Sequence, residues 1–133
     1  MSLPGSADRP DVELRLPADG AYVSVLHTLT AGLAARLDFT IDDIEDLRIA
    51  VGEACAMVLP EADPGSDLVG RFELGSGRLV ISVAVRASSP APPDHDSFAW
   101  QVLTTLASSA TVSTAEGELV VTLVMAPEAA VGR

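Results

Sequence analysis

Few side chains in this 133-residue chain are of a type that does chemistry: two histidines, one cysteine, a glutamate alone in an apolar stretch, and a knot of acids. His27 and His95, with the single Cys55, give no zinc-ligand spacing. Neither histidine is placed as a triad partner, and there is no G-x-S-x-G elbow. His27 falls in an amphipathic helical pattern, where packing or solvation is the ordinary fate of a histidine. His95 lies between Asp94 and Asp96 in a loop, where solvation is expected.

Glu53 is the only charge between Ile49 and Leu59. Helical spacing sets it opposite the Ile44, Val51 and Cys55 stripe, flanked by Ile49, Ala50, Ala56 and Met57. Two readings stand side by side. A desolvated carboxylate has a raised pKa and suits general-base work. A rim carboxylate bonded to arginine or to backbone amides is purely structural. The acids Asp42, Asp43, Glu45 and Asp46 crowd the start of the same helix, where the helix dipole favours anions. Neighbours along a helix do not converge on one centre, and no further ligand set follows, so no metal is expected there.

Charge narrows the options further. Nineteen acids against eight cations leave a formal charge of −11, and every cation is arginine. The absence of lysine removes the phosphate-loop, Schiff-base and ordinary protein-kinase lysines. A chain this acidic is repelled by phosphate, which argues against direct nucleic-acid binding and against anionic membrane surfaces. Basic protein surfaces are its natural electrostatic partners. The single cysteine suits a reducing cytosol, and no secretion signal or membrane-spanning run stands out, so the expected location is cytoplasmic.

The elements that must position these residues follow from periodicity. Residues 1–10 read as a disordered leader, 11–127 as one domain and 128–133 as a frayed tail. Val12, Leu14 and Leu16 alternate as a half-buried strand. Tyr22, Val25, Leu26, Leu29 and Leu33 mark one face of a first helix. Thr40 caps a second, whose core stripe is Ile44, Leu47, Val51, Cys55 and Val58, and Pro60 stops it. Two alternating runs, Leu68–Leu74 and Leu79–Val85, turn through Gly75-Ser76-Gly77. A Pro-rich loop leads to a short helix from Ser97 to Ala107 with Phe98, Val102, Leu103 and Leu106 on its apolar side. A last hairpin pairs Thr111–Thr114 with Leu119–Met125 through Glu116-Gly117. With 48% hydrophobic residues the chain can build a core. The order predicts an α+β two-layer sandwich, a mostly antiparallel sheet covered on one face by three helices.

The string LRIAVGEACAMVL (Leu47–Leu59), the segment SFAWQVLTTLASSATV (Ser97–Val112) and the order of elements resemble bacterial anti-sigma-factor serine kinases, of the histidine-kinase-like ATPase superfamily. The resemblance implies that fold, and a protein that binds a sigma factor and is released by an anti-anti-sigma partner. Active members phosphorylate that partner on serine with Mg-ATP. It implies a homodimer too. Val69, Val80, Ala84, Val120 and Val124, expected bare on the open face of the sheet, point the same way.

The family's ATP site can be checked position by position. Of its helical E-x-x-x-N, Glu53 matches the base, but Met57 stands where asparagine ligates magnesium, and a thioether is a poor ligand for so hard a cation. Of its D-x-G-x-G, the positions hold Ala87, Ser89 and Ala91. Of its G-x-G before the last helix, they hold Ser97 and Ala99. The expectation is therefore an anti-sigma-type regulator with a degenerate nucleotide site, needing neither ATP nor magnesium. The alternatives are a serine kinase using a divergent ATP site with Glu53 as base, and a scaffold that binds something other than a sigma factor. Asp42, Asp43, Glu45 and Asp46 are the expected docking acids for a basic partner.

Overall fold

In the computed structural model, which describes residues 9–127, five strands form one antiparallel sheet in the order β1-β2-β3-β5-β4. The strands are β1 (Val12–Pro17), β2 (Asp67–Gly75), β3 (Arg78–Arg86), β4 (Ser109–Ala115) and β5 (Glu118–Met125). Three helices, α1 (Val23–Arg36), α2 (Ile41–Val58) and α3 (Phe98–Leu106), cover one face. The expected two-layer α+β sandwich is borne out. The expected tail at 128–133 and all but Arg9 and Pro10 of the expected leader lie outside the described residues.

Side-chain alternation builds the inner face in rows across the sheet. Leu16, Leu68, Val85 and Leu119 form one row, Val12, Phe72, Ile81 and Leu123 another. Between them Leu14, Gly70, Val83 and Val121 form a row with a gap where Gly70 has no side chain. Leu26 of α1 fills that gap: a Cβ on Gly70 would stand 2.8 Å from Leu26 Cδ1. The glycine is what lets α1 approach β2.

Helix α2 lies over β3 and β5, with α1 and α3 on either side. Its buried stripe is Leu47, Ala50, Val51, Ala54, Cys55 and Val58. Thr40 caps it as expected, its Oγ1 accepting from Asp43 N at 3.1 Å. Burial pushes the Cys55 thiol up to about 12, so the sulfur is a protonated core atom. Where α1 crosses α2, the His27 ring packs on Gly52, whose added Cβ would stand 3.3 Å from the ring carbon Cε1. His27 Nε2 is buried there without a hydrogen-bond partner. Burial first, and the Arg48 charge second, hold the imidazole below its usual pKa.

Two expected faces are corrected. Tyr22 and Val25 are exposed, and the buried positions of α1 are Leu26, Thr30 and Ala34. A 3-10 turn over Gly20–Tyr22, capped by Asp19, precedes the helix and shifts its phase, so Tyr22 is not part of it. Thr30 is tolerated inside because its hydroxyl donates to Leu26 O at 2.8 Å. Phe98 is 78% exposed, being the first residue of α3 rather than part of its apolar side.

The open face of the sheet is less bare than expected. Val69 is 4% exposed and Ala84 fully buried within the monomer. Arg15 pairs with Glu13 and Asp67, and Arg71 pairs with Glu13 and, across β3, with Glu118. The arginine stems cover apolar surface while their heads stay wet. Each such exposed pair is worth at most about 1 kcal/mol.

Two outcomes follow from this packing. Gly70→Ala forces Leu26 or Phe72 to move and should cost about 1–3 kcal/mol in a denaturant melt. His27, with its lowered folded pKa, takes up its proton later than the unfolded chain does. Stability should therefore fall as pH drops below the ordinary histidine value of about 6.5, and His27→Gln should flatten that part of the profile. Parallel profiles for the two proteins would remove His27 as the cause.

Candidate functional site

Where α2 ends, the chain passes through a 3-10 turn at Leu59–Glu61 that contains Pro60. Two carboxylates from this turn region reach across to the loop that follows β3. Asp63 accepts from Ser88 N at 2.9 Å and from Ser88 Oγ at 2.7 Å. Those two bonds hold the Asp63 carboxyl below the usual range. Glu61 Oε1 accepts from Ala91 N at 2.8 Å. At the loop's far end, Asp94 Oδ1 accepts from Asp96 N and the Asp94 backbone carbonyl accepts from Ser97 N, and Ser97 Oγ caps α3 by accepting from Trp100 N. His95 meets the Trp100 ring edge-on at 4.9 Å. With Pro90, Pro92 and Pro93 between these ties, the loop is a stiff arch.

Beneath the arch lies a cavity of about 260 Å³. Its walls are Met57 from α2, Ala91, Pro92 and Pro93 from the loop, Ala99 from α3, and Val112, Leu119 and Val121 from the sheet. Its polar groups are Glu61, Asp94 and Ser97, and no cation among the described residues lines it. The volume is just under the roughly 300 Å³ at which pockets for drug-sized ligands begin.

Four of the sequence-selected positions, Met57, Ala91, Ser97 and Ala99, thus meet in one cavity. The other three do not. Ala87 is buried in the core at the end of β3, its N–H bonded to Gly117 O at 2.9 Å. Ser89 is exposed on the loop. Glu53, one turn before Met57, is half-buried, does not line the cavity, and has neither an ion-pair nor a hydrogen-bond partner among the described residues. Sequence reasoning missed Glu61 and Asp63, which no local pattern marks.

The acids at the start of α2 divide. Glu45 turns to Arg48 at 2.9 Å, which holds its carboxyl below the usual range. Asp42 is exposed. Asp43 and Asp46 line a second, shallower cleft of about 420 Å³ with Leu106, Met125 and Pro127. Among the described residues no three His, Cys, Asp or Glu side chains form a metal-holding group. No described helix is long and apolar enough to cross a membrane.

Comparison with known proteins places this geometry. No family model matches the chain. Over 81 residues it is 36% identical to the serine-protein kinase RsbW of Bacillus velezensis, a match covering 59% of this chain and 51% of that protein. It is 39% identical over 79 residues to the RsbW of Halalkalibacterium halodurans, covering 59% and 49%, and 36% identical over 81 residues to that of Bacillus subtilis. The matched stretch spans about half the length of these relatives. In fold it is similar to a crystal structure of the RsbU and RsbW domains of a Mycobacterium tuberculosis protein. That match has a TM-score of 0.64 and 17% identity, and covers 88% of this chain and 33% of the other. In sequence, and in the sandwich it folds into, the chain is similar to the RsbW serine-protein kinases.

Proposed function

We propose that this domain is an anti-sigma-type regulator that works in the cytoplasm by protein–protein binding, without turning over ATP. Its partners are a sigma factor, a releasing anti-anti-sigma protein and a second copy of itself. The observation that carries the reading is the lining of the cavity under the arch. Where the family's nucleotide chemistry needs a hard-cation ligand and glycines, Met57, Ala91, Ser97 and Ala99 stand, with the carboxylates of Glu61 and Asp94 beside them. A triphosphate entering there meets like charge and no cation. The chain contains no asparagine at all, so no neighbouring position restores the amide oxygen that ligates magnesium in the family motif. Mg-ATP does not fit these residues.

A second reading, a serine kinase with Glu53 as base, is favoured by the relatives, which are serine-protein kinases. Calorimetry separates the two. The regulator reading expects no magnesium-dependent ATP binding at micromolar protein. It also expects Glu53→Gln to leave sigma-factor binding intact and the anti-anti-sigma partner unphosphorylated with either protein. Low-micromolar Mg-ATP binding, with phosphate transfer abolished by Glu53→Gln, would restore the kinase.

The acidic cleft refines the docking expectation. Asp43 and Asp46 line a cleft with half-buried Leu106 and Pro127, whereas Glu45 already holds Arg48. Asp43→Asn with Asp46→Asn should slow association with the sigma factor several-fold at low salt and change dissociation less. Asp42→Asn alone should have the smaller effect. Wild-type association by the double variant would place the docking surface elsewhere.

A further inference from the structure

We propose that the cavity under the arch is a binding site for a small organic cation: a guanidinium, amidinium or ammonium group on a body about one ring in size. The inference rests on the reading that this site no longer serves a nucleotide. It goes beyond that reading in saying what the cavity takes instead.

Three features of the cavity select this class. The first is shape. The ties from Asp63 to Ser88 and Glu61 to Ala91 anchor the arch to the turn after α2, and the prolines stiffen it, so the chain's own bonds set its course. A ligand therefore does not bear the cost of ordering its own site. The second is the wall. Met57, Ala99, Val112 and Val121 offer apolar contact, and at about 260 Å³ the space suits a single ring or short alkyl body rather than a nucleotide. A thioether adapts its shape to such a body.

The third feature is charge. Every titratable group in the lining is a carboxylate. Glu61 accepts from the Ala91 amide with one oxygen and Asp94 from the Asp96 amide with one, which leaves each with a second oxygen free of any partner among the described residues. No arginine pairs with either among the described residues. Ser97 Oγ already accepts from Trp100 N, so the start of α3 is capped by its own side chain instead of open to an anion. A cation gains charge-assisted hydrogen bonds here; an anion meets repulsion. The −11 charge of the whole chain acts in the same direction.

Three isosteric probes test the proposal on the full chain: benzamidine, benzamide and benzoate, followed by amide chemical shifts and calorimetry. Benzamidine should bind at least about tenfold more tightly than benzamide, and benzoate should not bind. The shifts should centre on Met57, Ala91 and Ala99. Added salt should weaken benzamidine and leave benzamide unchanged. Glu61→Gln keeps an oxygen for the Ala91 amide, and Asp94→Asn keeps one for Asp96, so both should fold and lose the preference for the cation. Ala99→Leu should block benzamidine and benzamide alike. A capped Ala-Arg-Ala peptide separates the two sources of such a cation. Tighter binding by benzamidine identifies a free ligand; tighter binding by the peptide, with shifts reaching exposed Phe98, identifies the arginine of a protein segment.

Equal affinity for the three probes, benzoate binding, or an unchanged preference in both Glu61→Gln and Asp94→Asn overturns the inference while leaving the regulator reading intact. Mg-ATP binding that benzamidine displaces overturns the regulator reading and this inference with it.

Discussion

The burial of α2 from three directions is the constraint on which the rest of the molecule depends. Its floor is β3 and β5, and α1 and α3 close in from the sides. A helix can be approached that closely only where its side chains are small, and Ala50, Gly52 and Ala54 supply the room. Gly52 receives the His27 ring, and Ala50 and Ala54 are fully buried. The charged groups of α2 are thereby confined to its first two turns and to one narrow strip. The acids lie in its first turns, where the dipole stabilises them. Glu53 occupies the strip. Met57, one turn later, emerges beside the loop that follows β3.

That emergence makes the cavity. Because α2 stops at Val58 and the chain turns through Pro60, Glu61 and Asp63 come out facing a loop some 25 to 30 residues further along. Their carboxylates take up the Ser88 and Ala91 amides of that loop. The arch, its height above Val112 and Val121, and the acidic character of its interior all follow from those few bonds. The same residues that shape the cavity also set its charge.

Much of this architecture was legible in local sequence. Thr40 announces its helix because a hydroxyl there satisfies an amide three residues on. Glu116-Gly117 announces its hairpin because both residues take positive φ, 56° and 79°. The alternation from Leu68 to Val85 reads directly as inner and outer faces. The failures share one cause, which is that phase and pairing are set at a distance. The 3-10 turn before α1 rotates the buried face from Val25 to Thr30. Phe98 belongs to a helix start rather than a helix side. Glu61 and Asp63 act through partners far along the chain. Of the seven positions selected for the site, the four that meet in the cavity lie on elements converging at the C-terminal end of α2. Ala87 and Ser89 flank the point where the loop leaves β3, so one falls into the core and the other into solvent.

The distribution of charge completes the argument. On the open face of the sheet, Arg15 and Arg71 link Glu13, Asp67 and Glu118 into a chain of alternating sign, and Arg48 answers Glu45 on α2. Asp42, Asp43, Asp46, Asp94 and Asp96 have no such answer among the described residues. These unanswered acids sit at the start of α2 and on the arch, both in the helical layer. A chain carrying −11 is thus not uniformly acidic. Its sheet face is largely neutralised from within, and the field it presents to a partner arises from the helical side, where both clefts open. Charge that only kept the protein soluble could be spread over any face. Gathering it around two clefts, of which the one under the arch is largely apolar, lets steering and desolvated contact act at the same place.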